Sequence, residues 1–330
     1  MIEASAPVRI CDLGGWTDTW FGGPGRVVNV AVHPGVAISI ETVAGSDPVT
    51  LDVESFGDRF PVVPGGSRVA RHALLEAAID ACPPPAERAV EIRVRAAVPA
   101  GCGAGTSAAV AVALLGGLAA ARGETLDPRD AAYDAHRLEV EVLGVESGIQ
   151  DQLSAAFGGI NSLEIDRYPV ATVESLPAWA ELGPRLSLVF LGRPHDSSGV
   201  HLQVIEQMKQ RPSDAFSRLR DAAVAGRDAV VARDVDAFGH AMIANTEAQR
   251  ALHPALVGAD AERVIEAANA QGAIGWKVNG AGGDGGSLTI LSPTPEAKDA
   301  LESRVVALSP AYAVLPIDVS PDGLVVRGRL

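Results

Sequence analysis

Two glycine-rich stretches, set half a chain apart, constrain this chain more than anything else in it. The first runs Pro99-Ala-Gly101-Cys-Gly103-Ala104-Gly105-Thr106-Ser107-Ala108-Ala109, and the second runs Lys277-Val-Asn279-Gly280-Ala281-Gly282-Gly283-Asp284-Gly285-Gly286. The first follows a strand-like run over 90–98 and opens an apolar helix over 107–120. A strand, a glycine turn and a bare helix N-terminus together make an anion site. Missing side chains let a phosphate come close to the outward-pointing backbone N–H groups.

Two familiar phosphate loops do not fit. A Walker loop ends in Gly-Lys-Ser/Thr, and Gly105-Thr106-Ser107 has no lysine. Gly101, Gly103 and Gly105 lack the G-x-G-x-x-G spacing of a dinucleotide fold, and a long strand-rich stretch precedes them. The competing reading is a tight strand-to-helix turn packed on the core; phosphate binding is the stronger of the two. Without lysine, phosphate charge must be met by backbone N–H groups, the helix dipole and a metal. The Ser107 hydroxyl is placed to help hold Mg²⁺, which favours a few protein oxygens plus phosphate oxygens.

The 330 residues suffice for two domains. Against 27 Lys and Arg stand 41 Asp and Glu, a balance that argues against nucleic acid or anionic membrane as partner but does not exclude small anions in a local pocket. Oligomeric state is not readable. Three scattered cysteines, Cys11, Cys82 and Cys102, form no CxxC pair and suggest reduced, cytoplasmic thiols. Cys102 reads as a packed thiol rather than a reactive one. The opening MIEASAPVRI lacks a basic segment followed by an apolar one, so no secretory leader is expected. No apolar run reaches the roughly 18 residues of a membrane span.

Periodicity predicts strands over 27–40 and 49–53, then a helix over 68–81. Asp127-Pro128 predicts a helix start that continues through Glu139 and Glu141 to Gly144. The Pro-punctuated stretch 168–183 marks a boundary, dividing the chain into 1–183 and 184–330. The second half reads as a strand over 186–191, helices over 200–210, 214–232, 235–250 and 260–270, a strand over 287–291, a helix over 295–308 and closing strands over 313–318 and 323–326. This order suggests an α+β fold with helices on one sheet face.

Several side chains could carry chemistry. Glu139 could complete a Mg²⁺ shell if its helix runs beside the first glycine loop; otherwise Glu139 and Glu141 mark a solvated face. Asp151, between Gln150 and Gln152, is either an N-cap or an acid that orients the proton of an attacking hydroxyl. Arg9 sits in an apolar strand and needs an anionic partner if buried. Asp18 with Trp16 and Trp20 resembles a sugar-binding corner, although the indoles could be packing alone.

Taken in order, these segments resemble the GHMP kinases, a family that includes galactokinase, homoserine kinase and mevalonate kinase. Three motifs carry the resemblance: 6–9 with Gly14-Gly15-Trp16-Thr17-Asp18, the loop from Pro99 to Ala109, and the glycines from Gly280. The first motif, with Val28-Asn29-Val30-Ala31 and 148–159, is most similar to the sugar-1-kinase branch. The resemblance implies a ribosomal-protein-S5-like N-terminal domain and a ferredoxin-like C-terminal domain. It implies ATP and Mg²⁺ as cofactors, and Asp151 and Arg9 as catalytic residues. It places Asp18, Trp16, Thr17, Gly15 and Gly282 on the substrate, and Pro99, Gly101, Gly103, Ala104, Gly105, Thr106, Ser107 and Ala108 on the nucleotide. Ser107 and Glu139 would hold the metal. The implied reaction is phosphorylation of a sugar's C1 hydroxyl, with D-glycero-D-manno-heptose 7-phosphate the first expectation and L-fucose the next. Rivals are a non-sugar alcohol kinase, which the Asp18 and Trp16 corner disfavours, and a non-catalytic sugar and ATP sensor. Two departures stand out. Ala104 and Thr106 replace the usual Leu and Ser, and Asp284 interrupts the last glycine run. The run 192–198 either borders the substrate pocket or is a plain surface turn.

Overall fold

The computed structural model describes residues 1–44, 48–66, 70–195, 197–210 and 213–330, with the backbone alone at 197, 198 and 210. Alternation of small apolar and β-branched residues produces β1 (Ile2–Leu13) and β2 (Gly25–Thr42), which pair antiparallel through most of their length. A hairpin follows, β3 (Val49–Val53) and β4 (Asp58–Val62), then α1 (Ala73–Ala81) and β5 (Val90–Ala96). Positions 68 and 69 of the expected first helix lie outside the described residues. β5 runs antiparallel to β2 and parallel to β3.

The first glycine loop leads into α2 (Thr106–Ala121). This helix is apolar all round and accordingly lies buried against β1 and β2. Next come α3 (Pro128–Arg137), capped by the Asp127 carboxylate on the Arg129 N–H at 2.8 Å, and α4 (Gln150–Phe157). Strands β6 (Ile160–Arg167) and β7 (Val170–Ser175) complete this half. The stretch after 168 therefore begins as a strand rather than as a linker; Thr172, Glu174 and Ser175 are exposed polar positions, which weakens the strand signal in the sequence.

The second half opens with β8 (Leu186–Phe190). Helices α5 (Ser197–Gln210), α6 (Ala215–Ala232), α7 (Val235–Leu252) and α8 (Ala259–Ala270) lead to β9 (Gly275–Val278) and β10 (Ser287–Leu291). Then come α9 (Pro295–Val306) and β11 (Ala313–Leu315). The small sheet has the order β11-β8-β10-β9 with all neighbours antiparallel. Numbered by occurrence that is 4-1-3-2 with helices in both crossovers, the expected ferredoxin-like arrangement.

One expectation changes. The closing strand over 313–318 splits into β11 and β12 (Asp318–Val319), and β12 and β13 (Val325–Gly328) do not join the small sheet. β12 pairs with β2 and β13 with β1, so the tail crosses back onto the large sheet. The free edge of β1 supplies the N–H and C=O groups that β13 satisfies. Among the described residues, no helix is long and apolar enough to cross a membrane.

Candidate active site

A cavity of about 1100 Å³ lies between the first glycine loop, the N-terminal motif and the second glycine loop. One end is apolar, with Phe56, Leu74, Val94, Val110 and Leu143 on its wall; the other is polar, with Trp16, Asp18, Glu146, Gln150 and His201.

Arg9 on β1 joins the parts. Its Nε donates to Asp151 Oδ1 at 2.8 Å and its Nη2 to Oδ2 at 3.0 Å, a two-pronged pair. Its Nη1 donates to the Gly103 carbonyl, and its backbone N–H donates to the Ala104 carbonyl at 2.9 Å. Burial works against the Arg9 charge, but Asp151, then Asp12 and Asp18, outweigh it and raise the pKa. Asp151 lies in the first turn of α4 behind Ile149, which holds the cap position, so its carboxylate is not an N-cap.

The first loop enters α2 at Gly105, whose φ of +70° places it in the left-handed region. A Cβ there would lie 3.1 Å from Asp151 Oδ2, so glycine permits both the turn and the approach of the acid. No side chain caps α2 and no acid occupies its first turn, leaving unpaired N–H groups and a positive dipole end where Gly105, Thr106 and Ser107 line the cavity. Cys102 in this loop is fully buried, as expected of a packed thiol, and burial raises its pKa.

Glu139 reaches the cavity by a change of helix type. After Arg137 the chain widens into a π-helical turn, Leu138–Val142, which buries Glu139 and leaves Glu141 exposed. Glu139 Oε2 accepts from Ser147 Oγ at 2.8 Å and from Gln152 Nε2 at 2.7 Å. Burial pushes its pKa up to about 6, against the stabilising effect of Ser147, Ser107 and Gln152. Ser107 and Glu139 together offer hard oxygen donors on the cavity wall. Among the described residues no group of three His, Cys, Asp or Glu side chains is placed to hold a metal ion.

Asp18 is buried, and its Oδ2 accepts the Gln150 N–H at 3.1 Å. Burial, and next the charge of Asp151, push its pKa up to about 6. Trp16 is both a packing residue and part of the cavity wall. It packs in an apolar cluster with Val200, Val204 and Phe216, and it also lines the cavity, edge-on to His201 at 4.7 Å between centroids. Trp20 is 56% exposed and off the wall, its Nε1 donating to Glu146 Oε2 at 2.6 Å.

Five expected contact residues are not on the wall. The Thr17 hydroxyl donates to the Gly14 carbonyl at 2.6 Å, folding the motif on itself. A Cβ on Gly15 would press on Asp12, and one on Gly282 would meet the Leu256 carbonyl at 2.2 Å. Ala104 and Ala108 are buried. All five shape the cavity from behind. Asp284 also stays away from the phosphate loop: its side chain is 76% exposed and 3.8 Å from Arg193. Within 192–198, Pro194 and His195 line the cavity beside the first loop, where the His195 N–H donates to the Gly101 carbonyl at 3.0 Å. Residue 196 lies outside the described residues.

Two residues that the sequence motifs do not single out complete the site. Lys277 on β9 donates from Nζ to Asp12 Oδ1 at 3.1 Å, and Asp12 accepts the Gly280 N–H. Each is a charge inside an apolar strand, the same signal that singles out Arg9.

A strand, glycine loop and helix joined to a ferredoxin-like half, with an Arg–Asp pair at the loop, is the arrangement of an ATP-dependent small-molecule kinase. The family model for the GHMP kinases N terminal domain matches residues 68–159. The chain is 30% identical to the mevalonate kinase of Methanothermobacter thermautotrophicus, over 88% of this chain and 92% of that one. It belongs to the GHMP kinase family. It is also 27% identical to a bifunctional fucokinase/GDP-fucose pyrophosphorylase of Arabidopsis thaliana, matching 90% of this chain but only 30% of that protein's length. Among solved structures, a D-glycero-D-manno-heptose 1-phosphate kinase from Bacteriodes thetaiotaomicron superposes with a TM-score of 0.78 over 100% of both chains at 20% identity, a likeness of fold.

Proposed function

We propose that this chain transfers the γ-phosphoryl group of ATP to the anomeric C1 hydroxyl of a sugar or sugar phosphate. The observation that carries this is the Arg9–Asp151 pair, fastened to the glycine loop through the Gly103 carbonyl. The nucleobase would lie at the apolar end and the triphosphate over Gly101, Gly103 and the α2 N-terminus. The acceptor would lie against Trp16 and Asp18. The hydroxyl oxygen attacks the γ-phosphorus, the bond to the β–γ bridging oxygen breaks, and ADP leaves. Asp151 accepts or orients the hydroxyl proton, and Arg9 stabilises charge on the phosphoryl oxygens. Bound Mg²⁺ would neutralise β- and γ-phosphate charge, with Ser107 and Glu139 as its protein oxygens. We also read 1–183 as the nucleotide-holding domain and 184–330 as the second, with the tail strands β12 and β13 returning to the first.

Heptose 7-phosphate and L-fucose remain the leading sugars, and the fucokinase relative supports the second. A second reading, a mevalonate-type alcohol kinase, draws support from the mevalonate kinase relative. An ADP-release assay with Mg·ATP across free sugars, sugar phosphates, homoserine and mevalonate separates them, with NMR of the product to locate the phosphate. Phosphate on C1 supports the proposal; phosphate on mevalonate alone replaces it with the second reading.

A further inference from the structure

Charge on the cavity wall is lopsided. Among the described lining residues Arg9 is the sole Lys or Arg, against the carboxylates Asp12, Asp18, Glu139, Glu146 and Asp151, of which Asp12 is answered by Lys277 from behind the wall. Arg9 is already committed to Asp151 and to the Gly103 carbonyl. Histidines do not redress the balance at the polar end. His201 has its pKa lowered by burial and places Nδ1 3.0 Å from the Glu146 carbonyl. His72 is bound to Asp58, and His195 lies against the first glycine loop.

A phosphate can be held without cations if a helix N-terminus is free, as at α2. The α4 N-terminus, beside the polar end, is not free: its Gln150 N–H is taken by the Asp18 carboxylate. What the polar end does offer is neutral hydrogen-bonding capacity. Trp16 Nε1 and Gln150 Oε1 are both buried without partners, on residues 4% and 5% exposed that line the cavity. Both atoms are covered in this conformation; one is a donor and the other an acceptor, and a side-chain turn toward the cavity would let a hydroxyl group answer either. Asp18 adds an acceptor and the Trp16 ring an apolar face.

We infer that the acceptor is an uncharged polyhydroxyl compound, a free sugar carrying neither phosphate nor carboxylate. The inference rests on the kinase reading above and chooses within it: it disfavours heptose 7-phosphate, and mevalonate with its carboxylate.

The test uses matched pairs: D-glycero-D-manno-heptose with its 7-phosphate, D-galactose with galacturonate and with galactose 6-phosphate, and L-fucose against mevalonate. Two quantities are read for each, kcat/KM from ADP release and Kd from quenching of tryptophan fluorescence. The uncharged members are expected to lead by tenfold or more in both. A charged member that matches or exceeds its uncharged partner overturns the inference. Should no acceptor stimulate ADP release, the kinase reading fails, and the Kd values still decide: tighter binding of the uncharged members supports the inference, while equal binding, or binding of neither, overturns it.

Discussion

Lys277, wholly buried, donates to Asp12 Oδ1 at 3.1 Å, and the same carboxylate accepts the Gly280 N–H, so one ion pair pins the second glycine loop to the N-terminal motif. Gly280 in turn lies so close to the first loop that a Cβ on it would be 2.8 Å from the Gly103 carbonyl, which Arg9 also grips. The pair thereby connects both glycine loops to the Arg9–Asp151 site. Burial lowers the Lys277 pKa against the pull of Asp12. Removing one partner leaves an uncompensated buried charge, at a cost of about 3–5 kcal/mol. Lys277→Met should lose that much stability in urea denaturation, and Asp12→Asn/Lys277→Met should recover part of it. If Lys277→Met unfolds at the wild-type urea concentration, the pair does not secure the loops.

Asp151 is held by both arms of Arg9, an arrangement that fixes where the acid points. Asp151→Asn keeps the size of the side chain but cannot take a proton. Its kcat should fall by about two orders of magnitude or more with ATP affinity retained. Arg9→Lys retains charge without the planar fork and should also lose kcat. ADP release and a nucleotide titration measure both. A near-normal kcat for Asp151→Asn would remove the residue from the mechanism.

Much of this site is legible in the sequence because its signals are local. The glycine loop, the Asp127 cap and the strand over 49–53 are each written within a few residues. What escapes depends on contacts far apart in sequence. The π-helical turn that turns Glu139 inward and Glu141 outward has no sequence signature separate from the helix it interrupts. The motif around Thr17 predicts a substrate contact for it, but its hydroxyl bonds the Gly14 carbonyl instead. The return of β13 to β1 joins residues more than three hundred positions apart, and nothing in 325–328 itself says which sheet it will meet. Lys277 and Asp12 become visible when every charge in an apolar strand is asked, as Arg9 is, which partner it needs.

Gly105 bears two separate demands, a left-handed backbone and the nearness of Asp151. Gly123, at the other end of the same helix, has φ of +80° and nothing within 4 Å of the position a Cβ would take, so it meets the first demand alone. Alanine at either position should cost about 1–2 kcal/mol for the backbone. Gly105→Ala alone should also displace Asp151 and lower kcat by tenfold or more. Equal kcat in the two variants would show that Asp151 tolerates a methyl group there.

Asp18 makes stability depend on pH, and on the proposed reading acceptor binding depends on it too. Its pKa is pushed from 3.8 up to about 6 by burial and then by Asp151. The folded state therefore favours the protonated acid: the benefit is complete below about pH 4 and disappears as pH rises through about 6. Above that, the ionised buried carboxylate is a liability on the order of 3 kcal/mol at 1.36 kcal/mol per unit. Asp18→Asn keeps an oxygen for the Gln150 N–H and removes the charge. It should be more stable than the wild type to urea at pH 8, with the difference shrinking towards zero at pH 4. It should also bind acceptor more weakly, raising KM, because the amide accepts fewer hydroxyl protons than the carboxylate. A stability difference that stays constant from pH 4 to pH 8 would mean that the Asp18 charge is not strained in the fold, and an unchanged KM would take Asp18 off the acceptor.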